Sequence, residues 1–267
     1  MTRFTKMQAL GNDYLVIEPA PRDATMDAAR VRRLCDRHFG IGADGILLGP
    51  TRPVADPQAA IGLRIFNSDG TECEKSGNGL RMFAAYLRRH HLAADEFVID
   101  VPAGECAIRI LGTDPWDVAV DMGKAQPLGE TRLVTPDGAD FVFHRVDLGN
   151  PHAVTFVPEP TADFARTLGP WTAHHSAFDS AGTNVQLCAV LDRRTVRLEI
   201  WERGAGYTLA SGSSACAAAY AACHAGYVEE EVTVRMPGGT VAVSLRGDRV
   251  NLRGGCAFIA EGRAIDG

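Results

Sequence analysis

Displaced by 135 positions, this sequence overlays itself. "LRIFNSDGTECEKSGNG" (63–79) then lies on "LEIWERGAGYTLASGSS" (198–214) without a gap, and Leu63, Ile65, Ser76 and Gly77 fall on Leu198, Ile200, Ser211 and Gly212. The same displacement carries "VPAGECAIRI" (101–110) onto "MPGGTVAVSL" (236–245), and one of 138 carries "LGNDYLVI" (10–17) onto "LGNPHAVT" (148–155). A register kept over this much chain marks a tandem of two homologous halves. The halves are read as 1–118, with 258–267 returning to the first, and 119–257. The boundary is placed around "TDPWDVAVDMGKAQPLGE".

Each half reads alike. An apolar-alternating strand (63–66, 198–201) enters a Gly-rich loop, and a helix follows at about 79–90 or 214–225. Both helices are rich in good helix formers. Two short strands come next, "FVIDV" and "CAIRI" in one half, "VTVRM" and "VAVSL" in the other, joined through Pro and Gly turns. A further helix is expected near 26–38. The expected fold class is therefore α/β (α+β), as two pseudo-symmetric domains, each a curved, mostly antiparallel sheet around a central helix.

With 267 residues, 46% of them hydrophobic, the chain can bury a large core. A net charge of −6 argues against a nucleic-acid partner. No apolar run reaches the roughly 18–20 residues of a membrane span, and the N-terminal stretch lacks the apolar core of a signal peptide. Seven cysteines, an odd number, fit free thiols in a reducing cytoplasm better than a disulfide framework. No spacing of His or Cys points to a metal.

A Gly-rich loop running into a helix start exposes backbone N–H groups at the positive end of the helix dipole, a setting that suits a carboxylate. Read singly, Ser76 and Ser211 are ordinary N-caps. Read as a pair, they gain a second meaning. Two such turns, facing one cleft between pseudo-symmetric halves, would hold a carboxylate and place a side chain on each side of the adjacent carbon. Inversion of an amino acid without a cofactor needs that arrangement: one group removes the α-proton and the other returns a proton to the opposite face. The dipoles would stabilise the charge that grows as a carbanion forms.

The motifs "ALGNDY" (9–14), "GIGADGIL" (40–47), "FNSDGTECEKSGNG" (66–79), "LGNPHAV" (148–154), "GTNVQ" (182–186), "ERGAGYTLASGSSACA" (202–217) and "MPGG" (236–239), in this order, resemble the diaminopimelate epimerases over essentially the whole chain. The resemblance implies two pseudo-symmetric halves, no cofactor and no metal, a small-molecule substrate and a homodimer. It also implies that Asn12, Asn67, Asn150, Asn184, Glu202 and Arg203 hold the non-reacting amino and carboxylate groups; Glu202 is in addition a candidate acid or base. The N–H groups of Gly77, Asn78, Gly212 and Ser213 would cradle the reacting carboxylate. An Arg fork on a carboxylate and a Glu on an ammonium make chemical sense. The plainer reading of the same residues is turn asparagines and a surface ion pair.

The family carries a cysteine at each of two turns, a thiol and thiolate acting as acid and base; here both positions are serine, Ser76 and Ser211. A hydroxyl is a far weaker acid than a thiol. A gap of roughly five pKa units adds ~7 kcal/mol to forming the base, on the order of 10⁵ in rate. Other groups must then be weighed. Lys75 replaces a neutral residue and is either a solvated lysine or an anion-binding or basic group. Tyr207 stands where the family has Glu, and Ser213-Ser214 where it has Thr-Gly or Ser-Gly. His152 in "GNPH" is either structural or a proton-transfer residue. Because the neighbours have changed along with them, the serines read as natural rather than as an engineered Cys-to-Ser pair. The expected function is a cofactor-independent isomerase at the α-carbon of a diaminopimelate-like amino acid. The alternatives are a family member repurposed for another isomerisation, elimination or cyclisation, and a non-catalytic amino-acid-binding homologue.

Overall fold

The structure is a computed structural model, and it describes residues 1–19, 26–51, 59–178 and 182–265. The chain divides into two compact units, 1–120 with 254–267, and 121–253.

The first unit opens with the hairpin β1 (Thr2–Ala9) and β2 (Asn12–Ile17), turned through Leu10 and Gly11, both at positive φ. Helix α1 (Ala28–Cys35) follows, then β3 (Gly45–Leu48), β4 (Ile61–Gly62), β5 (Arg64–Asn67) and β6 (Glu72–Cys73). Helix α2 (Gly77–Arg89) precedes β7 (Glu96–Val101), β8 (Gly104–Thr113) and β9 (Trp116–Lys124). Antiparallel pairings dominate, but β2 runs parallel to β3, and β4 to β7. Alternation along the strands sorts the core. Leu15, Ile17, Ile46, Leu48 and Phe66 pack with Val31 and Leu34 of α1. Leu47 and Ile65 point the other way, where Leu47 reaches Gly79 of α2. Helix α2 is buried continuously from Gly77 to Leu87, as a helix wrapped by a sheet must be.

The second unit contains β10 (Gln126–Val134), β11 (Asp140–Asp147), β12 (Pro151–Phe156), α3 (Ala162–Ala173), β13 (Asn184–Asp192), β14 (Thr195–Glu202) and β15 (Gly206–Thr208). Helix α4 (Gly212–His224), β16 (Glu231–Met236), β17 (Gly239–Arg246) and the start of β18 (Arg249–Ala264) complete it, while β18 from residue 254 onward belongs to the first unit. The parallel pair β12–β13 repeats β2–β3, and β14–β16 is also parallel. One face of the sheet packs α3 through Phe143, Ala153, Val185, Leu187 and Trp201. The opposite face carries Gln186, Leu198 and Ile200, against α4. Strand β18 pairs with β17 at its start and with β1 at its end.

The two central helices stand where the sequence puts them. The helix expected near 26–38 is shorter. It ends at Cys35 because Asp36 turns its carboxylate onto the N–H groups of His38 and Phe39. The stretch expected to separate the halves is mostly strand, and the division along the chain falls within β9. Helix α3 goes unanticipated: Gly169 and Pro170 lie inside it and weaken its signal. Gly169 is required all the same, since a Cβ there would lie 2.4 Å from that of Trp201.

Candidate functional site

In the first unit Ser76 caps α2 from an extended backbone, and its Oγ accepts the Gly79 N–H at 3.1 Å. The N–H groups of Gly77 and Asn78, at the first two helical positions, have no carbonyl partner inside the helix. A Cβ at residue 79 would sit 2.9 Å from Leu47 Cδ2 and 3.2 Å from Ser76 Cβ, so glycine lets the turn close. Beside it runs a chain of side-chain hydrogen bonds. Arg81 donates to Asn78 Oδ1 at 2.8 Å, Asn78 to Asn12 Oδ1 at 3.2 Å, and Asn12 to Asp44 Oδ2 at 3.0 Å. Arginine can only donate and a carboxylate only accept, so the direction of both amides is fixed.

Asp44 in turn takes Arg37 at 2.8 Å, and buried Asp13 takes both Arg37 (2.6 Å) and Lys6 (2.9 Å). Burial works to raise the Asp13 pKa, but the bonds from Arg37 and Lys6 outweigh it and hold it below its ordinary value. Asn67 ends β5 as an exposed residue, bonded through its amide to Thr71 Oγ1 at 3.0 Å. Lys75 is half-buried, and its carbonyl accepts from Cys73 Sγ.

In the second unit Ser211 caps α4 in the same way, accepting the Ser214 N–H at 3.4 Å, with Ser213 Oγ 3.5 Å from its hydroxyl. Gly212 is buried and Ser213 half-buried. The side chain of Ser214 points away from the turn and accepts Gln186 Nε2 at 3.0 Å. The same Nε2 lies 3.1 Å from His152 Nδ1, and His152 Nε2 lies 3.0 Å from Asn150 Oδ1. His152 is 1% exposed, and burial pushes its pKa down to about 3, with the Arg203 charge adding to the effect and the Gln186 bond opposing it. The imidazole is thus neutral and both its nitrogens are engaged. Asn184 ties two loops together: its Nδ2 donates to the Pro151 carbonyl at 3.1 Å and its Oδ1 accepts the Arg203 N–H at 3.2 Å. Glu202 and Arg203, both half-buried, follow at the end of β14.

Tyr207 lies elsewhere. It packs with the α3 side of the sheet, the Arg166 guanidinium 4.1 Å above its ring and its hydroxyl donating to Glu199 at 2.7 Å. Burial and the Glu199 carboxylate push its pKa up to about 12.

Asn12 with Asn78, Asn150 with His152, and Asn184 with Arg203 are therefore brought together, each pair within its own unit. The sequence does not single out Asp44, Arg81 or Gln186, and it marks Ser214 only as a departure from the family, with no role. The available signal was a lone polar residue in an apolar run, Arg81 in "GLRMFAAY" and Gln186 in "NVQLCAV". Among the described residues no His, Cys, Asp or Glu cluster could hold a metal ion, and no helix is long and apolar enough to cross a membrane.

The two units form a tandem α/β architecture, each with a serine-capped central helix beside a set of oriented amides. Solved structures share the fold. A hydroxyproline epimerase from Agrobacterium vitis superposes with TM-score 0.74 over 98% of this chain and 91% of that one, at 14% identity. A phenazine biosynthesis protein of the PhzF family from Enterococcus faecalis gives 0.69 over 99% and 100%, also at 14% identity. The model of the diaminopimelate epimerase family matches residues 4–128 and 145–257. Diaminopimelate epimerase 2 of Nostoc sp. is 42% identical over 261 residues, 92% of this chain and 89% of that protein. The chain belongs to the diaminopimelate epimerase family, a family of amino-acid isomerases.

Proposed function

We propose that the protein is an isomerase that inverts an α-carbon of a diaminopimelate-like amino acid without a cofactor. The observation that carries this reading is the pair of serine-capped helix starts, Ser76 with Gly77 and Asn78, and Ser211 with Gly212 and Ser213, at equivalent positions of the two units. Each turn offers N–H groups that have no partner inside the helix, and a helix dipole, to a carboxylate whose α-carbon becomes a carbanion. Ser76 and Ser211 are the acid and base of this reading, with Glu202 assisting as a carboxylate. Asn12, Asn67, Asn150, Asn184 and Arg203 receive the non-reacting end. His152, neutral and bonded at both nitrogens, is read as a positioning residue rather than as the base. Lys75 retains the reading of an anion-binding group beside Ser76.

Exchange of the α-proton for deuterium in D₂O, followed by NMR with LL- and meso-diaminopimelate and a panel of common amino acids, tests it. Deuterium at an α-carbon supports carbanion chemistry, and the amino acid that exchanges identifies the substrate. Absence of exchange under conditions where binding is measured overturns the isomerase reading.

A second reading follows from the serines. With both thiols replaced, the same site would run a different isomerisation, elimination or cyclisation, and a new product from a bound amino acid without α-deuteration would favour it. A homodimer in the cytoplasm completes the proposal, and light scattering of the purified chain checks the dimer.

A further inference from the structure

We propose that Gln186 is a positioning residue that fixes His152 as the tautomer protonated on Nε2, and so holds the Asn150 amide with its N–H groups free for an acceptor oxygen of the ligand. Gln186 is fully buried, and its Nε2 carries two protons and no lone pair. Both protons are committed, one to Ser214 Oγ at 3.0 Å and one to His152 Nδ1 at 3.1 Å. Nδ1 must then accept, which places the ring proton on Nε2, and that proton goes to Asn150 Oδ1 at 3.0 Å. With its oxygen held inward, the half-buried Asn150 keeps both amide protons uncommitted among the described residues.

The repeat shows that the fold does not require this network. Ile65 and Ile200 are equivalent; Ile65 pairs with Leu47 and Ile200 with Gln186, which makes Leu47 the counterpart of Gln186. Gly79 is the counterpart of Ser214, and Tyr14 that of His152. The first unit thus packs an apolar Leu47 on Gly79 where the second buries Gln186 on Ser214. A buried polar atom left without a partner costs free energy, and Gln186 Oε1 finds none. A network that one unit manages without, and that ends on an asparagine at the candidate site, is best explained by what it does for that asparagine. The cap closes the circuit, since Ser214 also donates its N–H to Ser211.

The ligand half of the proposal rests on the reading of Asn150 as a binding residue, so the experiment separates the two. Long-range ¹H–¹⁵N spectra of the full chain with ¹⁵N-labelled histidine, at neutral pH, report the tautomer directly. The expected pattern for His152 is a protonated Nε2 and an unprotonated Nδ1; a protonated Nδ1 overturns the proposal without any variant. In Gln186→Glu the new carboxylate accepts where the amide donated, and Nδ1 should gain a proton; an unchanged pattern overturns the role of Gln186. Calorimetric titration with meso-diaminopimelate tests the amide direction. Asn150→Ala and Asn150→Asp should each weaken binding about tenfold, the loss of one hydrogen bond to a charged group. Full affinity in Asn150→Asp alone overturns the donor direction. Full affinity in Asn150→Ala overturns the ligand role of Asn150, and the spectra still decide the tautomer.

Discussion

Gln186 donates to Ser214 at 3.0 Å in the second unit, at the place where the first unit packs Leu47 onto Gly79. The two helices start alike and are capped alike, yet the sheet residue beneath the cap is apolar in one unit, Leu47, and polar in the other, Gln186. That asymmetry reaches outward to His152 and Asn150, and it bears on how each part of the protein should respond to change.

Restoring thiols tests the chemistry. In the double variant Ser76→Cys/Ser211→Cys, α-proton exchange of diaminopimelate should rise by up to about 10⁵, because a helix N-terminus lowers a thiol pKa toward neutrality and does little for an alcohol. Exchange in D₂O measured side by side for the two proteins is the check, and equal rates would remove the serines from the acid–base role.

Gly79→Ala should displace the Ser76 turn. The added methyl meets Leu47 Cδ2 at 2.9 Å within a packed core, at a cost of about 1–3 kcal/mol. Denaturant titration should show that loss, and adding Leu47→Val, which shortens the obstructing side chain, should recover part of it.

His152 should make the protein less stable in mild acid. Its folded pKa, about 3, lies below the ordinary 6.5, so the unfolded chain binds a proton that the folded chain refuses. Its contribution is complete above about 6.5 and declines as the pH falls from there toward 3, by at most about 1.4 kcal/mol per pH unit. Urea midpoints from pH 7.5 to 4.5 in the protein and in His152→Phe give the slope, which should be shallower in the variant.

Removing Asp13 should destabilise the first unit. Its side chain is 10% exposed and faces Lys6 and Arg37, of which Arg37 is 54% exposed. Asp13→Ala should cost about 2 kcal/mol, less than the loss of a fully buried pair because Arg37 stays half in solvent. Asp13 is held below its ordinary pKa, so its contribution is present above the unfolded value near 3.9 and is lost as the pH falls through the folded one. Thermal melts at pH 7 and at pH 3 should differ less for the variant than for the parent.

Tyr207→Phe should leave α-proton exchange unchanged. The hydroxyl is bonded to Glu199 on the α3 side of the sheet, and its loss should cost about 1 kcal/mol of stability. A fall in exchange rate without a fall in stability would return Tyr207 to the chemistry.

The sequence by itself determined the tandem and the two capped helices. Those rest on local signals: period-2 strands, a serine ahead of a small-residue helix, and a register preserved over 135 positions. It also marked Asn12, Asn78, Asn150, His152, Asn184 and Arg203 as worth watching. It did not find α3, whose Gly169 and Pro170 read as a break until Trp201 is seen to need the space. Nor could it separate Tyr207 from the residues around Ser211, because strand alternation sends neighbours to opposite faces and only the packed sheet shows which face holds α3.

The tertiary structure alone decided which way the polar groups point. Asn12 takes its direction from Asp44, 32 residues away, and from Arg81 through Asn78; Asn150 takes its own from Gln186, 36 residues on, through His152. A hydrogen bond has a donor and an acceptor, and which end of an amide faces a ligand follows from partners that only folding brings within 3 Å.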